Sequence, residues 1–531
     1  MYSLWFNGTI YTMRREGECV EAVITQGEKI VDCGALTELR KKYGYSIQAE
    51  IDLEGRTMFP GFVDSHMHLI GHGETFLRLN LSGMRSRREV LRAVAGQAEL
   101  LPPGEWIIGE GWDENGWGDK TVLTLKELDD IAPDHPVLLK RTCRHAMAVN
   151  SNAMNIAGIE AGTPNPPGGV IDRYPDGTLT GILKDEAQNL IVSVLPGITD
   201  QYVESALEAG IRDCWKLGLT GAHTEDLSYY GSYRRTIQSF DNILNKKGLP
   251  FRAHLLVHHK VAEEWREGGH GYLSKLGSIE FGAMKIFVDG ALGGRTALLS
   301  HPYKDDPGNS GMAVHSEESL CRLVKQAREY GLPVAAHVIG DKAFELMLDL
   351  LGEFPPPRQT KDRLIHGQIL RKDLIDRAKL MPVAVDIQPR FTASDFPWVM
   401  ERVGKDRTDY LYAWKTLLSS GILCAGGSDA PIEPADPLLG IHAAVTRSNP
   451  ADPSKRVYIP EQRLTVYESL SLFTKGSAAI SGHGRDRGVI QPGFAADFTV
   501  LDRDLFEIDE HEIPAASAAM TVIGGKIVYS S

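Results

Sequence analysis

His66 and His68 are separated by one methionine and follow the apolar run FPGFVDS. Side chains two apart on a strand point to the same face, so both imidazoles can meet one ion. The pair alone is weak, because a chain with 17 histidines produces such a spacing by chance. Its weight comes from its company. His337 follows LPVAA, His366 follows RLI and Asp429 follows ILCAGGS. Each sits where a strand runs out into its loop, and imidazoles with a carboxylate are the donor set that zinc favours. Singly, His337 and His366 are also readable as hydrogen-bonded loop histidines, and Asp429 as a helix N-cap before Ala430-Pro431. It is the combination that points to a divalent metal. Lys285 lies in the apolar stretch GAMKIFV, where an unpaired ammonium is costly. Two readings stand: a salt bridge across the strands, or an amine that carries CO2 as a carbamate. The carbamate turns a cation that repels metal into an anion able to bridge two ions.

Further candidates surround these. Arg295 in GALGGR is placed to hold a substrate carboxylate or donate to an oxyanion, or else to pair with a loop carboxylate. His145 in CRHAMAVN is a donor candidate with a catalytic and substrate-binding part, and Asp289 is placed to orient a metal ligand or to cap the turn at Gly290. Trp112, Asp113 and Trp117, beside glycines, suit a pocket wall, the alternative being that the tryptophans pack their own subdomain. Gln388 and Arg390 in DIQPRF, and His223 in GAHTED, are strand-end candidates for substrate binding. His258-His259 is set aside as a ligand pair, since adjacent strand residues face opposite ways.

The elements that must position these residues follow a rhythm. FPGFVDSHMHL, GLTGAHTED, FRAHLLVHH, GAMKIFVDGALGG, LPVAAHVIGDKA, RLIHGQI, MPVAVDIQPRF and ILCAGGSDAP each read as a short strand running into polar or glycine-rich residues. Helical stretches such as EESLCRLVKQAREYG separate several of them, the pattern of a parallel sheet with crossover helices. Eight strands suffice to close a barrel, although spacing alone also allows an open doubly wound sheet. The recurrence of His, Lys and Asp at strand C-terminal ends favours the barrel, which builds its active site there. Residues 1–59 and 480–531 are rich in short strands, with turns expected at Asn7-Gly8, Gln26-Gly27 and Gly524-Gly525. Two such segments bury little separately and are expected to pair into one small sheet domain. Residues 60–479 then form the central domain. The stretch 71–199 is too long for one βα loop and reads as an inserted, largely helical subdomain over the barrel mouth.

Composition narrows the class. The chain has 531 residues, 24% charged and 42% hydrophobic, enough for a large core. A formal net charge of -13 argues against a nucleic-acid partner. Six scattered cysteines without a CxxC pair exclude zinc-finger and iron–sulfur readings. MYSLWFNGTIYTM is not a signal peptide and no apolar run reaches membrane-spanning length, so no membrane partner and a cytoplasmic location are expected. A homo-oligomer, such as a dimer, is expected from base rates.

With FNGTIYTM, FPGFVDSHMHL, KIFVDGALGGRTALL, HVIGDKA, IHGQ, QPRF, GGSDAPIEPADPL and GVIQPGFAADFTVLD, the chain resembles the amidohydrolase superfamily, within it the YtcJ-like, amidohydrolase-3 group. The resemblance covers nearly the whole chain. It implies an α/β fold, a (β/α)8 TIM barrel with a small β-sandwich domain formed by both chain termini. It implies hydrolysis of amides and related C–N bonds, N-substituted formamide deformylation being one activity of the group. It also implies His66, His68, Lys285, His337, His366 and Asp429 as metal ligands, with Lys285 at the position that is often N6-carboxylated. Gly294 departs from the serine often found there, which bears on the pocket rather than the chemistry. One or two ions, expected as zinc, would lower the pKa of bound water to about 7. The expected reaction is attack of metal-bound hydroxide on the carbonyl of a small-molecule amide, Asp429 taking the proton and passing it to the leaving nitrogen. Rival readings are a cyclic amidase or deaminase-type amidohydrolase, distinguishable by ammonia release, and a catalytically silent metal-binding scaffold, against which the presence of Asp429 counts.

Overall fold

The computed structural model describes residues 2–82, 84–114, 117–118, 121–141, 146–404, 407 and 409–531. Two compact units are present, Met1–His72 with Gly210–Ser531, and Gly73–Ala209.

The first unit is mixed α/β around a nearly closed barrel of parallel strands. In chain order these are Phe62–Met67, Leu219–Thr224, Arg252–His258, Ile279–Phe287, Val334–Val338, Asp362–His366, Val383–Ile387 and Leu423–Gly426. Each pairs in parallel with the next, leaving the first and last at the two ends of the ladder. Helices such as Glu317–Glu329 and Asp341–Glu353 run between them. The ends meet at a seam. The Asp429 N–H donates to the His66 carbonyl at 2.7 Å, and the Ser428 N–H to the Asp64 carboxylate. Gly427 makes this approach possible, since a Cβ there would lie 2.5 Å from the His66 nitrogen. The open doubly wound sheet is thereby set aside.

Both termini enter one mixed sheet, in the order Lys526–Ser530, Ala518–Ile523, Phe498–Leu501, Thr57–Pro60, Tyr2–Tyr11, Cys19–Gln26, Lys29–Gly34, with Ile47–Asp52 beside Tyr2–Tyr11. Trp5, Val23, Met58, Phe498 and Val522 from its two halves share one buried core. The pairing establishes this common sheet, a coarser result than a two-sheet sandwich. Gly524 and Gly525, at φ +58° and +74°, turn the last hairpin as expected. Asn7-Gly8 is a correction: it is not a turn but a bulge inside Tyr2–Tyr11. Asn7 has φ +61° and the pairing with Cys19–Gln26 shifts register between Phe6 and Ile10. A bulge and a turn both need a residue tolerant of positive φ, so the dipeptide alone does not separate them.

The second unit also departs from expectation. Beside helices such as Arg87–Leu100 and Leu125–Ile131, it contains a six-stranded sheet, Gly169–Arg173, Leu179–Asp185, Ala146–Val149, Val137–Arg141, Ile107–Trp112 and Leu79–Asn80 in spatial order. Val137 and Leu139 enter one apolar core and Leu138 another, so the sheet is covered on both faces. Strands buried on both faces lack the polar–apolar alternation that marks a strand in sequence. Among the described residues no helix is long and apolar enough to cross a membrane.

Candidate metal centre

The C-terminal ends of five barrel strands bring together all six residues picked out as ligands. His66 Nε2 and His68 Nε2 each lie 3.5 Å from Asp429 Oδ1. The Lys285 Nζ is 3.3 Å from His66 Nε2. The His366 ring centroid is 5.7 Å from that of His66 and 4.5 Å from that of His337.

The imidazoles are held in a common sense. His68 Nδ1 faces the Glu225 carbonyl at 2.7 Å, His337 Nδ1 faces Asp289 Oδ1 at 3.2 Å, and His366 Nδ1 faces Gln388 Oε1 at 2.7 Å. An acceptor opposite Nδ1 keeps the proton there and leaves Nε2 with its lone pair, the state a metal ligand needs. Burial and the neighbouring Lys285 charge hold His66 well below the usual imidazole range, and burial with His337 does the same to His366. Burial also pulls on His68, but the hydrogen bond and charge of Asp429 outweigh it and push that ring up to about 9. Any cation entering here has to displace that proton. Burial lowers the Lys285 amine to about 8, against the charges of Glu225, Asp429 and Asp386.

Backbone strain marks two of these positions. His366 has φ +78° and Asp429 φ +60°, conformations that cost a non-glycine residue about 1–3 kcal/mol each. The donor set fits a divalent ion. One atom each from His66, His68 and Asp429 lies within 4.8 Å of the others, and His66 Nδ1 is a buried ring nitrogen with no hydrogen-bond partner among the described residues.

The remaining candidates are distributed differently. Asp289 accepts from His337 and from the main-chain N–H groups of Leu298, Ile339 and Gly340, so it orients His337 and ties two strand-end loops together. Gln388 stands behind His366 rather than in the cavity. Arg390 turns toward Glu433, at 3.6 Å. His223 packs 4.8 Å from His254 and beside Arg363, and lines a small separate cavity with Thr220, Arg252 and Arg487. Arg295 pairs with Asp305 at 2.7 Å on a partly exposed loop and does not line the cavity over the histidines. In the second unit Trp112 and Trp117 are buried in that unit's own core, the Trp112 indole N–H donating to the Leu139 carbonyl, while Asp113 pairs with Arg141. His145 lies outside the described residues.

His258 and His259 need a correction of reasoning. The strand ends at His258 and His259 opens a 3-10 turn, so the rings do not face opposite ways but stack at 4.5 Å. Two groups escaped the sequence reading. Glu225 is fully buried, receives the Tyr229 hydroxyl at 2.6 Å and feels the Lys285 charge. Its signal was the acidic pair ending GAHTED. Arg363 and Asp386 form a fully buried pair, and the same guanidinium donates to the Ser65 carbonyl beside His66.

Comparison with known proteins agrees in direction. Residues 49–529 match the model of the amidohydrolase family. YtcJ of Bacillus subtilis (strain 168), placed by its name with the amidohydrolases, is 50% identical over 100% of this chain and 99% of its own. The N-substituted formamide deformylase of Arthrobacter pascens is 26% identical over 98% of this chain and 97% of its own. Among solved structures, an uncharacterised metal-dependent hydrolase from Pyrococcus horikoshii OT3 superposes with a TM-score of 0.79 and 30% identity, over 96% of this chain and 99% of that one.

Proposed function

This chain belongs to the amidohydrolase family, and from that premise we propose that it is a metal-dependent hydrolase cleaving a carbon–nitrogen bond other than a peptide bond. The observation that carries the reading is the convergence of His66, His68 and Asp429 with His337 and His366, the Nδ1 atoms of His68, His337 and His366 each being turned to an acceptor. The Arthrobacter relative, an N-substituted formamide deformylase, and the Pyrococcus one, a metal-dependent hydrolase, point the same way.

His66, His68, His337, His366 and Asp429 are the residues we assign to hold a divalent ion, zinc by their ligand chemistry. Bound there, the ion supplies a Lewis acid that acidifies water and polarises a carbonyl. Lys285 is assigned as the N-carboxylated residue. Its burial favours the neutral amine, whose lone pair forms a bond to the carbon of CO2 while the proton departs, and the anion that results shares in holding one or two ions. Asp429 takes the proton as water adds to the carbonyl carbon, then gives it to the nitrogen as the C–N bond breaks. Its carboxylate is aimed by the strained backbone and by its own N–H bond to His66.

The test measures metal content and amide hydrolysis side by side on protein purified without chelators, and on its Asp429→Asn variant. One or two ions per chain are expected, with turnover falling roughly 10²–10⁴-fold in the variant. Metal-free protein that gains no activity from zinc or manganese with bicarbonate would defeat the proposal.

A further inference from the structure

The cavity over the histidine cluster has a volume of about 390 Å³, within the range of small-ligand sites. Its walls are Phe287, Leu292, Ile339, Phe391, Trp398 and Ile432. Among the described residues lining it, no lysine or arginine appears. Beyond the histidines and Asp429, the one ionisable group is Asp395. That carboxyl closes the short helix Phe391–Asp395, one turn or ~5.4 Å along from Phe391, whose ring centroid stands 6.3 Å from His366. Apolar side chains thus share the lining of this cavity with the histidines, Asp429 and, among the described residues, one further acid.

Among the described residues, none brings a cation to the Asp395 carboxylate. The Tyr412 hydroxyl donates to Oδ2, and the Ser394 hydroxyl is a second neighbour. Glu433, itself buried, lies close enough to repel it, and Arg390 is turned to Glu433. Burial first, and Glu433 second, push the Asp395 carboxyl up to about 7. In its ionised form a carboxyl so placed is stabilised by a cationic donor brought in by the ligand and repels a ligand anion.

Resting on the hydrolase reading above, we propose that the substrate is an amide with an apolar aromatic or branched body whose far end carries a protonated amine that binds Asp395, and that amides bearing a carboxylate there are excluded. The apolar walls take the body, the histidine cluster takes the amide carbonyl, and Asp395 sets which end group is accepted.

The test uses the full-length, metal-loaded enzyme and three acetanilides alike except for the para substituent: aminomethyl, methyl and carboxylate. The expected order of kcat/KM is amine above methyl above acid, with the amine favoured over the acid by roughly tenfold or more, as for a hydrogen bond to a charged group. In Asp395→Asn the ratio of amine to methyl falls toward one. Calorimetric binding of 4-methylbenzylamine against 4-methylbenzoate gives a readout without turnover. An acid preferred over the amine in the wild-type enzyme, or an amine preference that survives in a folded Asp395→Asn protein, overturns the proposal. If no acetanilide is cleaved yet amine binding depends on Asp395, the chemistry assigned under the hydrolase reading fails and the pocket assignment stands.

Discussion

Replacing Asp289 by asparagine probes how the site is held without touching a ligand. The two carboxylate oxygens of Asp289 divide four donors. Oδ1 accepts from His337 Nδ1 and the Ile339 N–H, and Oδ2 from the Leu298 and Gly340 N–H groups. The asparagine side chain is the same size but has one oxygen, so it can serve one pair, and its NH2 then faces the N–H groups of the other. Two buried donors lose their acceptor. At about 1–3 kcal/mol for each orphaned group, the loss is roughly 2–6 kcal/mol of folding stability. The assay is urea unfolding of metal-free protein, which keeps any loss of metal-linked stabilisation out of the comparison. The same variant, titrated with zinc against a competing chelator, should bind about 10–100-fold more weakly, because a neutral amide in place of the carboxylate fixes the His337 tautomer less firmly whichever way it is turned. A destabilisation below about 1 kcal/mol together with unchanged zinc affinity would refute the reasoning.

Two other outcomes follow from buried charge. Asp395 keeps its proton to about pH 7 in the folded chain but releases it near the ordinary aspartate value of ~3.9 when unfolded. The folded state thus binds more protons between those values, and its contribution to stability declines as pH rises from about 4 to about 7, by an amount on the order of a few kcal/mol. Asp395→Asn should flatten that slope, so the stability difference between wild type and variant, measured by urea unfolding at pH 5 and pH 8, should change between the two; an identical difference at both contradicts it. Arg363→Met leaves Asp386 buried without its guanidinium and should destabilise by about 3–5 kcal/mol, whereas the double variant Arg363→Met/Asp386→Leu should recover much of the loss. A double variant no more stable than the single one in the same assay argues that the pair is not coupled.

Much of this protein is legible locally. Strand alternation put His66 and His68 on one face, and strand-end position singled out His337, His366 and Asp429. The strand-rich ends of the chain pointed to a shared sheet, and Gly524-Gly525 marked its last hairpin. These are statements about neighbours in sequence, where a period of two or a need for positive φ leaves a pattern in residue types. Where the same local signal serves two structures it misled. Asn7-Gly8 became a bulge, His258-His259 stacked because the strand stopped between them, and the inserted stretch expected to be largely helical carries a six-stranded sheet. Asp289 is legible as a residue able to orient a ligand, but which partner each ligand takes was out of reach. His68 is fixed by the carbonyl of Glu225, 157 residues away, and His337 by Asp289, 48 residues away. Arg295 found Asp305, and Asp395 came to line the cavity over the histidines. Sequence determined which side chains are able to ligate, donate or ionise. Only the nearly closed ring of strands decided which of them share a few ångströms of low-dielectric space, and it is that proximity which sets tautomer and charge.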